Sequence, residues 1–209
     1  QITIHPNATG LFTLDLGSTL EREIGGFVNF STTNATTALS PNATILSTAG
    51  SANSLLTSAD GVAFATISGR DWAGNNATND AIVAVTYTPS TPSGFVAGAN
   101  ITTISEGGPA NDVRLSEDTS IASLRYGNAS ARTGIMLGGN TLTTGGILVS
   151  PVSNSTGSFM SGGTVMSPGS DFVLAHFAGT SNRLFQMDAV IADNEAGPTG
   201  FTKAGTGFT

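Results

Sequence analysis

The chain has no cysteine among its 209 residues. Disulfides, thiolate metal sites and cysteine nucleophiles are therefore excluded. No apolar run approaches the roughly 18 residues that a membrane-spanning helix needs. Charge is scarce: 10% of residues are charged, against roughly 25% in an ordinary soluble domain. Lysine occurs once, at Lys203, and the arginines are scattered as Arg22, Arg70, Arg114, Arg125, Arg132 and Arg183. With a net charge of −7 and no basic cluster, neither a nucleic acid nor an anionic membrane finds a counter-surface here. Helical periodicity is nearly missing as well, and its best candidate is the short Ser116–Arg125 stretch. Of the dipeptides that signal tight hairpins, Asp60-Gly61 alone qualifies.

What is present compensates for the missing charge. Ser and Thr make up about a quarter of the chain, and there are 27 glycines, so hydroxyls and amides must carry the polar surface. Short apolar runs are bounded by Gly, Asn, Pro or Ser. Examples are Phe27–Phe30, Val62–Ile67, Ile82–Tyr87, Ile147–Val149 and Phe172–Leu174. Several alternate with period two, as half-buried strands do. Between Gly134 and Ser167, Gly-Gly pairs at 138–139, 145–146 and 162–163 separate the apolar runs. Sharp glycine corners between very short strands suit a coil that stacks on itself better than the longer strands of a sandwich. The expected fold is all-β, a right-handed parallel β-helix forming one elongated module over residues 1–209. A β-sandwich is the alternative. Thr32–Ala59 reads as an excursion or loose coil. Thr88–Gly94 carries two prolines that an interior strand would reject, and it marks the point of division between two sub-regions. The chain opens on Gln1 without a leader and reads as a mature or excised piece.

Four ordered segments resemble the autotransporter-associated β-strand repeat proteins, in particular the large surface proteins of planctomycetes. They are Thr13-Leu-Asp-Leu-Gly-Ser-Thr-Leu-Glu-Arg with Gly25-Gly-Phe-Val-Asn-Phe30; Ala65-Thr-Ile-Ser-Gly-Arg-Asp-Trp-Ala73 with Ile82-Val-Ala84; Ser123-Leu-Arg-Tyr126 with Leu137-Gly-Gly-Asn-Thr-Leu-Thr143 and Gly145-Gly-Ile-Leu-Val149; and Ala189-Val-Ile-Ala-Asp-Asn194 with Gly200-Phe-Thr-Lys-Ala-Gly-Thr-Gly207. The resemblance implies an exported, passenger-type β-helix displayed at the cell surface. Its role would be adhesive or structural, and no catalytic residues come with the motifs.

Candidate sites are few. His5 and His176 lack any partner spacing and read as surface or turn residues. Asp71 and Asp80 flank the turn Asn75–Asn79, whose oxygens are of the kind Ca2+ takes, but the spacing is neither an EF-hand nor a nonapeptide repeat. A turn hydrogen-bonded to itself is the simpler reading. Asp112, Glu117, Asp118, Asp188 and Asp193 are the other acids that a polysaccharide lyase or hydrolase would need to bring together. Glu21-Arg22-Glu23 reads as a solvated turn, Arg22 and Arg70 as members of surface pairs, and Trp72 as a core residue whose polar tip is satisfied locally rather than as a sugar-stacking platform. Asn7, Asn29, Asn34, Asn42, Asn76, Asn100, Asn128 and Asn154 open N-x-Ser/Thr sequons. All but Asn29, which alternation points outward from a strand, are carried forward as glycan acceptors.

The sequence thus leads to a non-enzymatic, extracellular structural or adhesive solenoid. It would associate end to end or continue into neighbouring repeats, and glycans or other surface proteins would be its partners. A polysaccharide-active β-helix enzyme and a carbohydrate-binding β-sandwich are the competing readings. No cofactor is expected, Ca2+ being the one ion to consider.

Overall fold

The computed structural model describes residues 2–4, 12–32, 43–49, 54–91, 95–103, 112–127, 133–151, 157–178 and 184–207. No helix occurs among them. The first part is a small parallel stack. β1 (Ile2–Ile4), β2 (Phe12–Asp15), β3 (Val28–Thr32), β4 (Ala43–Leu46) and β5 (Ala65–Ile67) follow in order. β1, β3 and β5 pair in parallel, as do β2 and β4. β6 (Asp71–Asn75) and β7 (Ile82–Ala84) then run antiparallel and finish the sheet.

The second part is a β-solenoid. It comprises β8 (Thr88–Pro89), β9 (Asn100–Thr102), β10 (Val113–Arg114), β11 (Thr119–Ile121), β12 (Ser123–Tyr126), β13 (Gly134–Met136) and β14 (Thr141–Thr144). It continues with β15 (Ile147–Val149), β16 (Ser158–Met166), β17 (Asp171–His176), β18 (Phe185–Ala192) and β19 (Gly200–Ala204). Every pairing between the strands of this part is parallel, which excludes the sandwich alternative, built as that is from antiparallel hairpins. Ile101, Leu124, Ile147 and Leu174 lie one above the next, and the column ends on Lys203. A second column runs Val113, Ile135, Met160, Met187, and a third runs Leu142, Val165, Ile191. Apart from Ile191 and Lys203 in the last layer, these side chains fill the lumen together with Tyr126, Phe172 and Phe185. Each coil buries its neighbour's edge, so the stack needs no other core.

The glycine corners have two distinct causes. Gly138–Gly139 lies beneath Gly162–Gly163, joined by Gly139 N–H donating to the Gly162 carbonyl at 2.9 Å. At Gly163 the φ of 139° and the Asn140 carbonyl 2.5 Å from where a Cβ would stand leave room for glycine only. Gly145 and Gly146 do not have positive φ; close approach of the first stack demands them, as shown below.

Several expectations need correction. Ser116–Arg125 is not a helix: it holds β11 and β12, because Ile121 and Leu124 turn into the lumen on either side of the corner at Ala122. The loose excursion at Thr32–Ala59 contains β4, whose Ile45 is fully buried; residues 33–42 and 50–53 lie outside the described residues. A hairpin that no Asn-Gly or Asp-Gly announced joins β5 to β6 through Ser68 and Gly69, both left-handed at φ 52° and 64°. Within Thr88–Gly94, β8 is the outermost strand of its sheet, where Pro89 forfeits no ladder donor.

Candidate functional site

The two parts meet on the outer face of one solenoid sheet. Along β15 and β17 the side chains alternate: Ile147, Val149, Phe172 and Leu174 enter the lumen, while Leu148, Val173 and Ala175 point outward. That outer face is covered by Leu55, Val62, Ala63, Trp72 and Val85 of the first part. Trp72 is fully buried at the centre. Its indole N–H donates to the Leu124 carbonyl at 3.0 Å, across 52 residues rather than locally. Its backbone N–H donates to the Tyr87 hydroxyl at 2.7 Å. The Trp72 ring lies against Gly146, where an added Cβ would stand 3.0 Å from two ring carbons. A Cβ on Gly145 would be 2.6 Å from the Gly61 carbonyl oxygen, and Ala63 N–H donates to the Gly145 carbonyl at 2.8 Å.

Charged groups fasten the rim of this seam from both directions. Arg22, from the first part, pairs with Asp171 of β17; their side chains are 3% and 0% exposed. Asp171 also accepts from the Thr202 hydroxyl at 2.6 Å and the Gly25 N–H at 3.3 Å. In the opposite sense Arg125, from β12, pairs with Asp71 of β6. Its Nε donates to Thr102 at 3.1 Å, and its guanidinium lies 4.4 Å from the Tyr87 ring centroid. Burial pushes the Tyr87 phenol up and draws the Arg125 guanidinium down from their ordinary values.

A third link is exposed. The Asp60 carboxylate accepts from the Ser170 N–H and hydroxyl, both at 2.8 Å, and from the Ser58 hydroxyl at 2.5 Å. These donors, the Ser170 N–H first, bring its pKa down from 3.8 to about 2. A depressed carboxylate pKa stabilises the folded state above the unfolded value, and that contribution is lost as pH falls through the folded value. We therefore expect the seam to loosen slightly between about pH 4 and pH 2, and Asp60→Asn to flatten that step in a pH titration of Trp72 fluorescence. Asp60 is solvent-exposed, so the effect is small.

Two open hollows border the seam, of about 700 Å3 and about 600 Å3. They share Ser120 and Pro168.

The structure separates the residues that sequence reasoning had grouped. Asp71 is committed to Arg125, whereas Asp80 is exposed in the turn before β7, with φ 56°. Among the described residues no three His, Cys, Asp or Glu side chains gather as a metal-ion site. Asp112, Asp118 and Asp193 each accept from a different backbone N–H, those of Gly134, Thr141 and Thr199. Asp188 accepts from the Gln186 amide. Of the sequons, Asn76 caps its own turn by accepting from Thr78 N–H, and Asn100 accepts from the Ser123 hydroxyl at 2.8 Å. Asn29 accepts from Thr66 and Gly69 and is half-buried. Asn7, Asn34, Asn42, Asn128 and Asn154, like His5, lie outside the described residues.

No family model, curated protein or solved structure matches the chain. The site must be read from its own geometry.

Besides that of Trp72, two single-residue readings change. His176 is not a surface histidine: it is fully buried, continuing the inward alternation of Phe172 and Leu174 to meet the Phe185 ring edge-on at 6.5 Å. Arg22 leaves the solvated Glu21–Glu23 turn for the seam. Asp171 went unremarked in the sequence, yet a carboxylate immediately before the run Phe172–Leu174 is the kind of residue that must find a buried partner.

Proposed function

We propose that this chain is a structural and adhesive module of an extracellular surface protein, a stiff solenoid that carries no catalysis of its own. The observation that supports this reading is the contrast between the two ends of the coil. In the first layer Ile101, Val113 and Leu115 are buried. In the last layer the lumen residues Ile191 and Phe201 are 38% and 54% exposed, and Leu184 and Val190 beside them are 53% and 63% exposed. Phe201 stacks on Phe172 at 6.1 Å with the ring planes nearly parallel at 15°, and it remains exposed to solvent. Lys203 tops the Leu174 position and turns its ammonium aside to the Gly205 carbonyl at 3.1 Å. An open parallel layer of this kind receives a further parallel layer.

The dispersal of the acids over separate turns, together with the resemblance to passenger-type repeats, supports a scaffold over a lyase. Surface display follows from the same resemblance. Negative-stain electron microscopy of the purified chain provides the test. Short rods joined end-on in pairs are expected, since one end is open and the other covered. Rods that never join, or that join only side by side, would count against the reading.

A further inference from the structure

We propose that the groove running past Pro168 along the seam binds a neutral oligosaccharide. This names a ligand for the adhesive role above and rests on that reading only for its setting, since binding is measured on the chain alone. The two hollows adjoin, both being lined by Ser120 and Pro168. The first hollow lies between the two packed units, where ligand sites commonly form, the second lies on the solenoid beside it, and each volume is of the right order for a short glycan.

The lining selects the ligand. Among the described residues neither hollow is lined by Lys, Arg or His, so phosphate, sulfate and uronate groups find no counter-charge. Hydroxyl side chains recur along the lining: Thr57, Ser58 and Ser120 in the first hollow, Ser120, Thr141 and Thr143 in the second. Ser120 and Thr143 are paired positions in adjacent layers, so their hydroxyls repeat at roughly the 4.8 Å strand spacing, a rise close to one pyranose repeat. Two acceptors remain for sugar hydroxyls. Asp118 uses one oxygen on Thr141 N–H at 2.7 Å and keeps the other. Glu195 is exposed at the same wall. The floor is held rigid. The Asn194 amide donates to the Gly169 carbonyl at 2.6 Å and its oxygen accepts from Ala196 N–H at 2.9 Å, fixing the turn that carries Pro168. A preorganised wall of hydroxyls and carboxylates, with no aromatic platform among the described residues, suits weak recognition of an uncharged, donor-rich chain.

The test is an amide NMR titration of the isotope-labelled chain with cellotriose, chitotriose and maltotriose, with tri-galacturonate as the charged comparison and a neutral-glycan array alongside. Saturable shifts of Ser120, Thr143 and Gly145 with at least one neutral trisaccharide are expected, with none from tri-galacturonate. Glu195→Gln, at an exposed residue without a structural partner among those described, should weaken that binding by roughly tenfold, the order of one charge-assisted hydrogen bond. Asp118→Asn should do likewise. The proposal is overturned if no neutral glycan binds, if shifts map away from the groove, or if the charged trimer binds as well. End-on pairing in the microscope is read independently, so failure here leaves the scaffold reading standing.

Discussion

Replacing Arg22 by Met is expected to cost about 3–5 kcal/mol of stability, the usual penalty for stranding one member of a buried ion pair. Asp171 is fully buried. Without the guanidinium it would retain, among the described residues, only the Thr202 hydroxyl and the Gly25 N–H as donors, too few to replace the water it gave up on folding. The loss should be asymmetric. Arg22→Met combined with Asp171→Leu removes both charges, and we expect it to recover most of the lost stability, because paired hydrophobic replacements of buried ion pairs are commonly neutral. Urea unfolding read by the fluorescence of Trp72, the only tryptophan, measures both variants. If the double variant is as unstable as the single one, Arg22 acts by packing and the electrostatic account fails.

Gly145→Val should separate the first stack from the solenoid while leaving the solenoid folded. A Cβ there meets the Gly61 carbonyl oxygen at 2.6 Å and the Ala122 carbonyl oxygen at 2.7 Å. Both are backbone atoms on opposite sides of the seam, so neither can swing away. The substitution also threatens the Ala63 N–H to Gly145 carbonyl hydrogen bond. Overpacking together with a lost buried hydrogen bond amounts to about 3 kcal/mol or more. The expected signature is a red-shifted Trp72 emission with strand circular dichroism largely kept. Gly139→Ala is the comparison. Open space surrounds that position, and only its φ of 91° resists a side chain, so about 1 kcal/mol of backbone strain and no change in Trp72 emission are expected.

The sequence revealed the strands but not their period. Stacking asks only for an apolar residue at each inward position, and Ile101, Leu124, Ile147 and Leu174 satisfy that with different residues. The steps between them are 23, 23 and 27 residues, since each corner can lengthen without disturbing the column. No identity repeat survives such freedom. The Gly-Gly pairs at 138–139 and 162–163 were legible as corners because φ beyond the reach of other residues leaves a mark on composition. The seam was legible in principle and passed unread. Ile147-Leu148-Val149 and Phe172-Val173-Leu174 do not alternate with polar residues, and a strand apolar at consecutive positions is buried on both faces. The buried pairs were beyond reach, because Arg22 and Asp171 are 149 residues apart and nothing local distinguishes Arg22 from a solvated arginine. Trp72 was read as a core residue, but its partner Leu124 lies in the other unit, so the distant character of its hydrogen bond followed only from the fold.

The proposed open joint at the last layer of the coil is tested most directly by sedimentation velocity of the chain over a wide concentration range. The joint is small, so pairing in the micromolar range or weaker is expected. Asp188, Asp193 and Glu195 outnumber Lys203 on that layer, so pairing should strengthen with added salt as their mutual repulsion is screened. Phe201→Lys and Ile191→Lys should each abolish it while leaving unfolding by urea nearly unchanged. A chain that stays monomeric at every concentration and salt, or that pairs as well with both lysines present, would contradict the claim.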